Sequence, residues 1–293
     1  MRAISNKRVH FGEFAGPLAH EAAIFDWQLI STQELAAAFD YPFSAILEDD
    51  GIPYAPVVVD ASVHRYPAIG DVVNVDVDPV AVGESSLDLK YEMTDGDGDP
   101  IATLRATHVT IGPDGGALPL PETARDAYAA ARVDDDVDPG PEPVSERVRD
   151  GGDTDPTAVP QPEPLPSYGT TVPIRSPYVE GAELAYFEEY PRFAGTALEA
   201  FVAEHGLSVG ETSGEKWPYK PRSWHWEFTA PVPFESELRV DCEVVAVDRD
   251  VVRVAQEFSS GDTTNIDGVT EYGCFDRTGE PTTFDEPMLE PLR

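Results

Sequence analysis

Two stretches decide how this chain reads: YPAIGDVVNVDVD at residues 66–78 and VPFESELRVDCEV at residues 232–244. Each holds a proline, a short polar turn and then a run in which apolar and polar residues alternate. Val73, Val75 and Val77 are the apolar set of one, and Leu238, Val240 and Cys242 of the other. That period of two predicts a strand with one buried face. Pro67 and Pro233 cannot donate to a ladder, so each marks the corner before its strand. Matching them sets Gly70 against Ser236 and Asp71 against Glu237.

Working outward, both neighbourhoods repeat one order. The first has strand patterns at 55–66, 71–82, 85–93 and 100–111, with DGDGDP at 95–100 as a tight hairpin connection. The second has them at 223–230, 237–247, 250–258 and 267–275. Each set follows a helical pattern: IFDWQLISTQELAAAF at 24–39, and RFAGTALEAFVAEHGL at 192–207 with Gly206 as C-cap. Between the two lies DDDVDPGPEPVSERVRDGGDTDPTAVPQPEPLP at 134–166, which holds eight prolines and ten acids and no apolar period. Such a segment reads as an extended linker. The expectation is α+β: two copies of one unit, each an antiparallel sheet around a long helix, over 1–131 and 172–293 with the linker at 132–171.

Composition narrows the function. Against 20 Lys and Arg stand 55 Asp and Glu, a formal net charge of −35. This disfavours nucleic acid and anionic membrane surfaces as partners, because no positive field is available. It reads as a solvated surface suited to high salt, where screening shortens to about 3 Å at 1 M. No run approaches a membrane span and no secretory h-region opens the chain, so a cytoplasmic location is expected. Cys242 and Cys274 lie in no CxxC and read as buried thiols. The six His show no HxH or HExxH, so no metal is expected. No GxGxxG, P-loop or GxSxG is present.

The first unit reads VHFGEFAGPLAHEAAIFDWQ, then VVVDASVHRYPAIGD, then VGESSLDLKYEM, then ATLRATHVTI. This order resembles the hotdog fold, and within it the 4-hydroxybenzoyl-CoA thioesterase-like acyl-CoA thioesterases, over about residues 7–122. The second unit, about 172–289, resembles it most in FTAPVPFESELRVDCEVVAV. The resemblance implies two hotdog units paired within one chain as an internal pseudo-dimer, open to further homo-oligomerisation, with acyl-CoA sites at the junction. It also implies a carboxylate at the bend before the helix, with a His seven residues on. Glu13 and His20 have that spacing around the Gly16–Pro17 bend, with Glu where the family has Asp. Glu180 takes the carboxylate position in the second unit, where Phe187 replaces the His. The implied activity is acyl-CoA hydrolysis with no cofactor beyond the CoA of the substrate. A hotdog enoyl-CoA hydratase and a noncatalytic acyl-CoA-binding module are the alternatives.

Helix residues Gln28, Ser31, Thr32 and Glu34 read mainly as surface. In GEKWPYKPRSWHW (214–226), Lys216, Lys220 and Arg222 interleave with Trp217 and Tyr219. These cations and an aromatic suit the phosphates and adenine of CoA. The same pattern fits a loop packed by its own prolines and aromatics, its cations paired with nearby acids.

Overall fold

The computed structural model describes residues 1–134, 165–212 and 214–293. Most of the acidic proline-rich segment therefore lies outside the described residues. One twelve-stranded sheet dominates. Its strands are β1 (Arg2–Arg8), β4 (Ile52–Val63), β5 (Val72–Val82), β6 (Ser86–Thr94), β7 (Pro100–Ile111), β9 (Ser167–Pro173), β10 (Lys216–Phe228), β11 (Glu237–Val247), β12 (Val252–Ser260) and β13 (Thr263–Asp276), plus the two-residue strands β8 (Ala117–Leu118) and β14 (Pro281–Thr282). The order along the sheet is β1-β5-β6-β7-β4-β10-β13-β12-β11-β9, with β8 on β7 and β14 on β13. Its pairings are antiparallel, and β4 meets β10 at the middle. A separate miniature hairpin pairs β2 (Phe14–Ala15) with β3 (Leu18–Ala19).

Two long helices, α1 (Glu21–Ala38) and α4 (Glu189–Glu204), lie against each other. Shorter helices are α2 (Phe43–Glu48) and α3 (Glu122–Ala130). α4 begins three residues earlier than its sequence pattern suggests. Pro191 reads as a breaker, yet in a first turn it is tolerated because the N–H there has no helical partner. Gln28, Ser31 and Thr32 are buried, against the expectation of surface, while Glu34 is exposed. Ser31 Oγ donates to Trp27 O at 2.7 Å, and Thr32 Oγ1 lies 2.7 Å from Tyr91 Oη. Hydroxyls that bond within the helix or to the sheet beneath can be buried without an orphaned donor.

The linker ends sooner than its composition implies. Ser167–Pro173 is an edge strand on β11, so 167–171 belong to the sheet. The segment at 214–226 is also ordered differently: most of it is central strand β10, not a loop. Its prolines fall at bulges, where the ladder loses no bond. Register breaks between Trp217 and Lys220 and between Pro221 and Ser223. β4 breaks at the same places, between Ile52 and Ala55 and between Pro56 and Val58. The local sequences agree: Pro53-Tyr54-Ala55-Pro56 and Pro218-Tyr219-Lys220-Pro221, 165 residues apart. Tyr54 and Tyr219 both take left-handed φ, +43° and +60°, which a bulky residue adopts only under constraint. Tyr54 Oη bonds Tyr128 of α3 at 2.8 Å, and Tyr219 Oη donates to Met288 O.

The corners agree at this step too. Ala68 bridges Leu18 and Pro233 bridges Leu184, and Gly70 and Glu235 both have positive φ. The turns therefore match Ala68 with Pro233, one residue from the pairing that the two prolines suggest.

The core is continuous across the β4–β10 junction. Trp224 and Trp226 of β10 face the helices, with the Trp224 ring stacked on Phe25 of α1 at 4.9 Å. Phe25 also meets Phe187, just ahead of α4, at 4.6 Å. These aromatics bury large areas and fix how the two helix starts sit over the sheet.

Candidate active site at the helix seam

The bend GEFAGPLAH takes its form from the backbone. His20 N–H donates to Glu13 O at 2.7 Å, closing the loop over the β2–β3 hairpin. Gly16 has φ +68°, and a Cβ there would run into the Trp217 ring. Gly16 and Trp217 are thus packed against each other across the two halves of the chain.

Glu13 is heavily engaged. Its Oε1 accepts from Lys7 Nζ and from Trp27 Nε1 (3.0 Å), and its Oε2 accepts the His10 N–H at 2.8 Å. Burial pushes this carboxyl up, but the His10 N–H, Lys7 and Trp27 outweigh it and hold it below its usual range. His20 caps α1, accepting the Ala22 N–H on Nδ1 at 3.0 Å. The remaining proton of the neutral ring is therefore on Nε2, 3.6 Å from Glu21 Oε1. Burial first, then Lys220 and Arg192, push His20 down to about 4 against the pull of Glu21, so the ring is uncharged at neutral pH.

Beside it is a buried ion pair. Glu21 is 6% exposed and Lys220 4%. Lys220 Nζ donates to Glu21 Oε2 at 2.6 Å and to Ala19 O at 3.1 Å, and sits 4.5 Å from the Tyr66 ring centroid. The bulge at Pro218–Tyr219 aims Lys220 from β10 at the start of α1. Burial opposes the Glu21 charge, but Lys220 and His20 more than offset it and lower its pKa.

A second group gathers at the start of α4. Glu188 is half-buried, and its Oε2 is shielded from water with no hydrogen-bond partner. Burial, then Asp26 of α1 and neighbouring Glu189, push it up to about 7 against Arg192. Burial and then Glu13 raise Asp26, against Lys7 and Arg192. Burial also raises Glu189, against Arg192, whose Nε lies 3.7 Å from its carboxylate. Like charges so placed hold one carboxyl protonated near neutrality. His20 stands at the start of α1 and Glu188 at the start of α4, two helices that lie against each other, and the charge of Arg192 bears on both groups.

Glu180 lies apart, in a turn closed by its own N–H on Leu184 O at 2.9 Å. Burial raises its pKa against the N–H groups of Ala182, Leu184 and Gly181. Lys216 Nζ is held by Thr283 O and Asp285 Oδ1, both at 2.8 Å, and Arg222 is exposed. The bend thus brings His20 beside Lys220 and Gly16 beside Trp217. Sequence reading passed over Glu21, Asp26, Glu188, Glu189 and Arg192. The run FEEYPR (187–192) carries the signal: acids in a helix first turn, with Pro inside it. Among the described residues no group of three His, Cys, Asp or Glu is placed to hold a metal ion, and no helix is long and apolar enough to cross a membrane.

No protein-family model matches the chain, and no curated protein matches its sequence. Solved structures do resemble it along nearly its full length. A chain from Lactobacillus plantarum assigned as an oleoyl thioesterase aligns with TM-score 0.68 at 11% identity, over 92% of this chain and 94% of that one. The 12:0-ACP thioesterase from Umbellularia californica aligns with TM-score 0.65 at 14% identity, over 96% and 94%. An acyl-ACP thioesterase from Bacteroides thetaiotaomicron aligns with TM-score 0.65 at 11% identity, over 92% and 96%. At these identities the likeness establishes architecture: the mostly antiparallel sheet with its few helices has the hotdog fold of those thioesterases.

Proposed function

We propose that this chain hydrolyses acyl thioesters at the seam between α1 and α4, and that it does so as two hotdog units paired within one chain. The observation that carries the chemistry is Glu188, a half-buried carboxyl at a helix start with one oxygen unpartnered and a pKa near 7. A base poised near the working pH is what general-base attack by water needs. In the ionised form Glu188 takes a proton from a water whose oxygen attacks the thioester carbonyl. The resulting oxyanion is met by Arg192, by the His20 Nε2–H, and by first-turn N–H groups that lack helical partners. Collapse breaks the C–S bond, and the leaving thiolate recovers the proton from Glu188. No metal or redox cofactor is required by this chemistry.

The two-unit arrangement is supported by the repeated Pro-Tyr-Xaa-Pro bulges and by the matching corner turns. Glu13 and Glu180 remain the alternative bases, each the bend carboxylate of its unit. CoA is the acyl carrier we favour, with exposed Arg222 and half-buried Lys216 and Trp217 of β10 as its candidate contacts, while Lys220 is buried against Glu21 and serves the seam instead. A carrier protein is the second choice, because the acyl-ACP thioesterases above share the full-length architecture. The acid-rich composition supports work in a salt-rich cytoplasm.

The test is thiol release from a panel of acyl-CoA and acyl-ACP thioesters in molar salt, with wild type and Glu188→Gln, Glu13→Gln and Glu180→Gln. Loss of about a hundredfold or more in kcat with Glu188→Gln alone supports the assignment. The same loss with Glu13→Gln moves the base to the bend. Wild type that releases no thiol, yet melts higher with acyl-CoA, is a binding module instead.

A further inference from the structure

The β4–β10 junction has an unusual register. Ser223 faces Ser62, Trp224 faces Ala61, His225 faces Asp60, Trp226 faces Val59 and Glu227 faces Val58. The Pro-Tyr-Xaa-Pro bulges relate the two strands by a step of 165 residues. Under that step Val58 corresponds to Ser223, Asp60 to His225 and Ser62 to Glu227. The pairing is therefore self-complementary, as across a two-fold axis, and Asp60 and His225 are equivalent positions that meet each other at its centre. In a symmetric pair of identical units the central residue opposes a copy of itself, which for Asp sets two like charges directly across the strands. Here the two are different and complementary: His225 Nδ1 lies 2.6 Å from Asp60 Oδ1. Both are partly buried on the sheet face away from the helices, since Trp224 and Trp226 point the other way.

We infer that Asp60 and His225 form a charge lock that makes the first unit pair with the second unit of the chain and disfavours pairing of like units between chains. This rests on the two-unit arrangement proposed above. The lock works as attraction in the native pairing and as repulsion in the wrong ones, since a first-unit pair sets Asp60 against Asp60 and a second-unit pair sets His225 against His225. The other charged groups facing His225 are Glu227 on its own strand, 3.5 Å away, Arg105 opposite Asp60 on β7, and Asp267 opposite Glu227 on β13. The hydrogen bond to Asp60 raises the His225 pKa, with Glu227 adding to it against burial.

The experiment uses the full chain with Asp60→His, His225→Asp and the double exchange, by urea unfolding between pH 4 and pH 9 and by light scattering. Each single change should shift the unfolding equilibrium by about fivefold or more, and the exchange should restore most of it. The Asp60→His penalty should grow as pH falls below about 6.5, and the His225→Asp penalty should shrink as pH falls toward about 4, because each like pair loses its repulsion when uncharged. Additive losses in the exchange, or penalties flat with pH, overturn the lock. The two-unit reading is tested apart from it, by nicking a chain that keeps Asp60 and His225 and differs only by an engineered protease site near residue 150. Fragments that stay as a folded one-to-one complex sustain that reading, and fragments that unfold or separate refute it, whatever the exchange shows.

Discussion

Lys220→Met is the sharpest test of how the seam is built. In the native chain Lys220 reaches from the β10 bulge to Glu21 at 2.6 Å, and both groups are almost wholly buried. Removing the cation leaves a carboxylate without its partner, and breaking a buried pair in this way costs about 3–5 kcal/mol. The carboxyl escapes part of that cost by protonating, so the loss depends on pH. In wild type the Glu21 pKa is lowered, so its contribution is present above the unfolded pKa and is lost as pH falls through the folded one. In Lys220→Met burial, the largest influence on Glu21, outweighs what His20 and the backbone N–H still supply and raises that pKa, so the sign reverses. The penalty is full at pH 8 and fades as acid protonates Glu21. Urea unfolding of wild type, Lys220→Met, Glu21→Gln and the double Glu21→Gln/Lys220→Met variant, from pH 5 to pH 8.5, reads this directly. The double variant should recover most of the stability, because an apolar side chain beside a neutral amide leaves no buried charge. A Lys220→Met cost below about 1 kcal/mol at pH 8, or a double variant as unstable as the single, refutes the argument.

Other expectations follow from the same geometry. If Glu188 is the base, kcat/KM for thioester release rises with pH through an inflection near 7. Asp26→Asn, which removes a charge that lifts Glu188, should move that inflection to lower pH in a pH–rate profile. Tyr91→Phe should cost about 1–3 kcal/mol by denaturant unfolding, since neutral His108 donates from Nδ1 to Tyr54 O at 2.8 Å and takes the Tyr91 hydroxyl on Nε2 at 2.9 Å. His108, which burial drives down to about 4, then keeps an unpaired buried nitrogen. Gly16→Ala combines a φ of +68° with a Cβ in the Trp217 ring, so its melting temperature should fall by several degrees. Trp217→Ala opens room for the methyl, so it should lessen the Gly16→Ala effect measured in its own background.

What the sequence made legible and what it did not divide along a physical line. Alternation at Val73, Val75 and Val77 and at Leu238, Val240 and Cys242 is a local signal, and β5 and β11 fall where it puts them. The corner prolines are local as well, yet their match is one residue out, because a turn is equivalent by its hydrogen bonds and φ angles and not by its proline. The first half of β10, ahead of the strand pattern at 223–230, was hidden for a related reason. Lys-Trp-Pro-Tyr-Lys-Pro carries two prolines and two cations, all depleted in strands, and it pairs with β13 only through the two register breaks that flank Lys220–Pro221. β4 makes the same two breaks against β7, and the agreement of Pro53-Tyr54 with Pro218-Tyr219 was present in the sequence as a four-residue echo. The site is less legible still. Nothing in HEAAIFDW marks Glu21 as a buried anion, since its cation stands 199 residues away on another strand. Glu188 likewise looks like one acid among 55 until burial at the start of α4 and the nearby charge of Asp26 set it apart. In so acidic a chain a carboxylate is singled out not by its type or spacing but by what removes it from water. That is a property of the seam between the two helices, where residues from both halves of the chain meet.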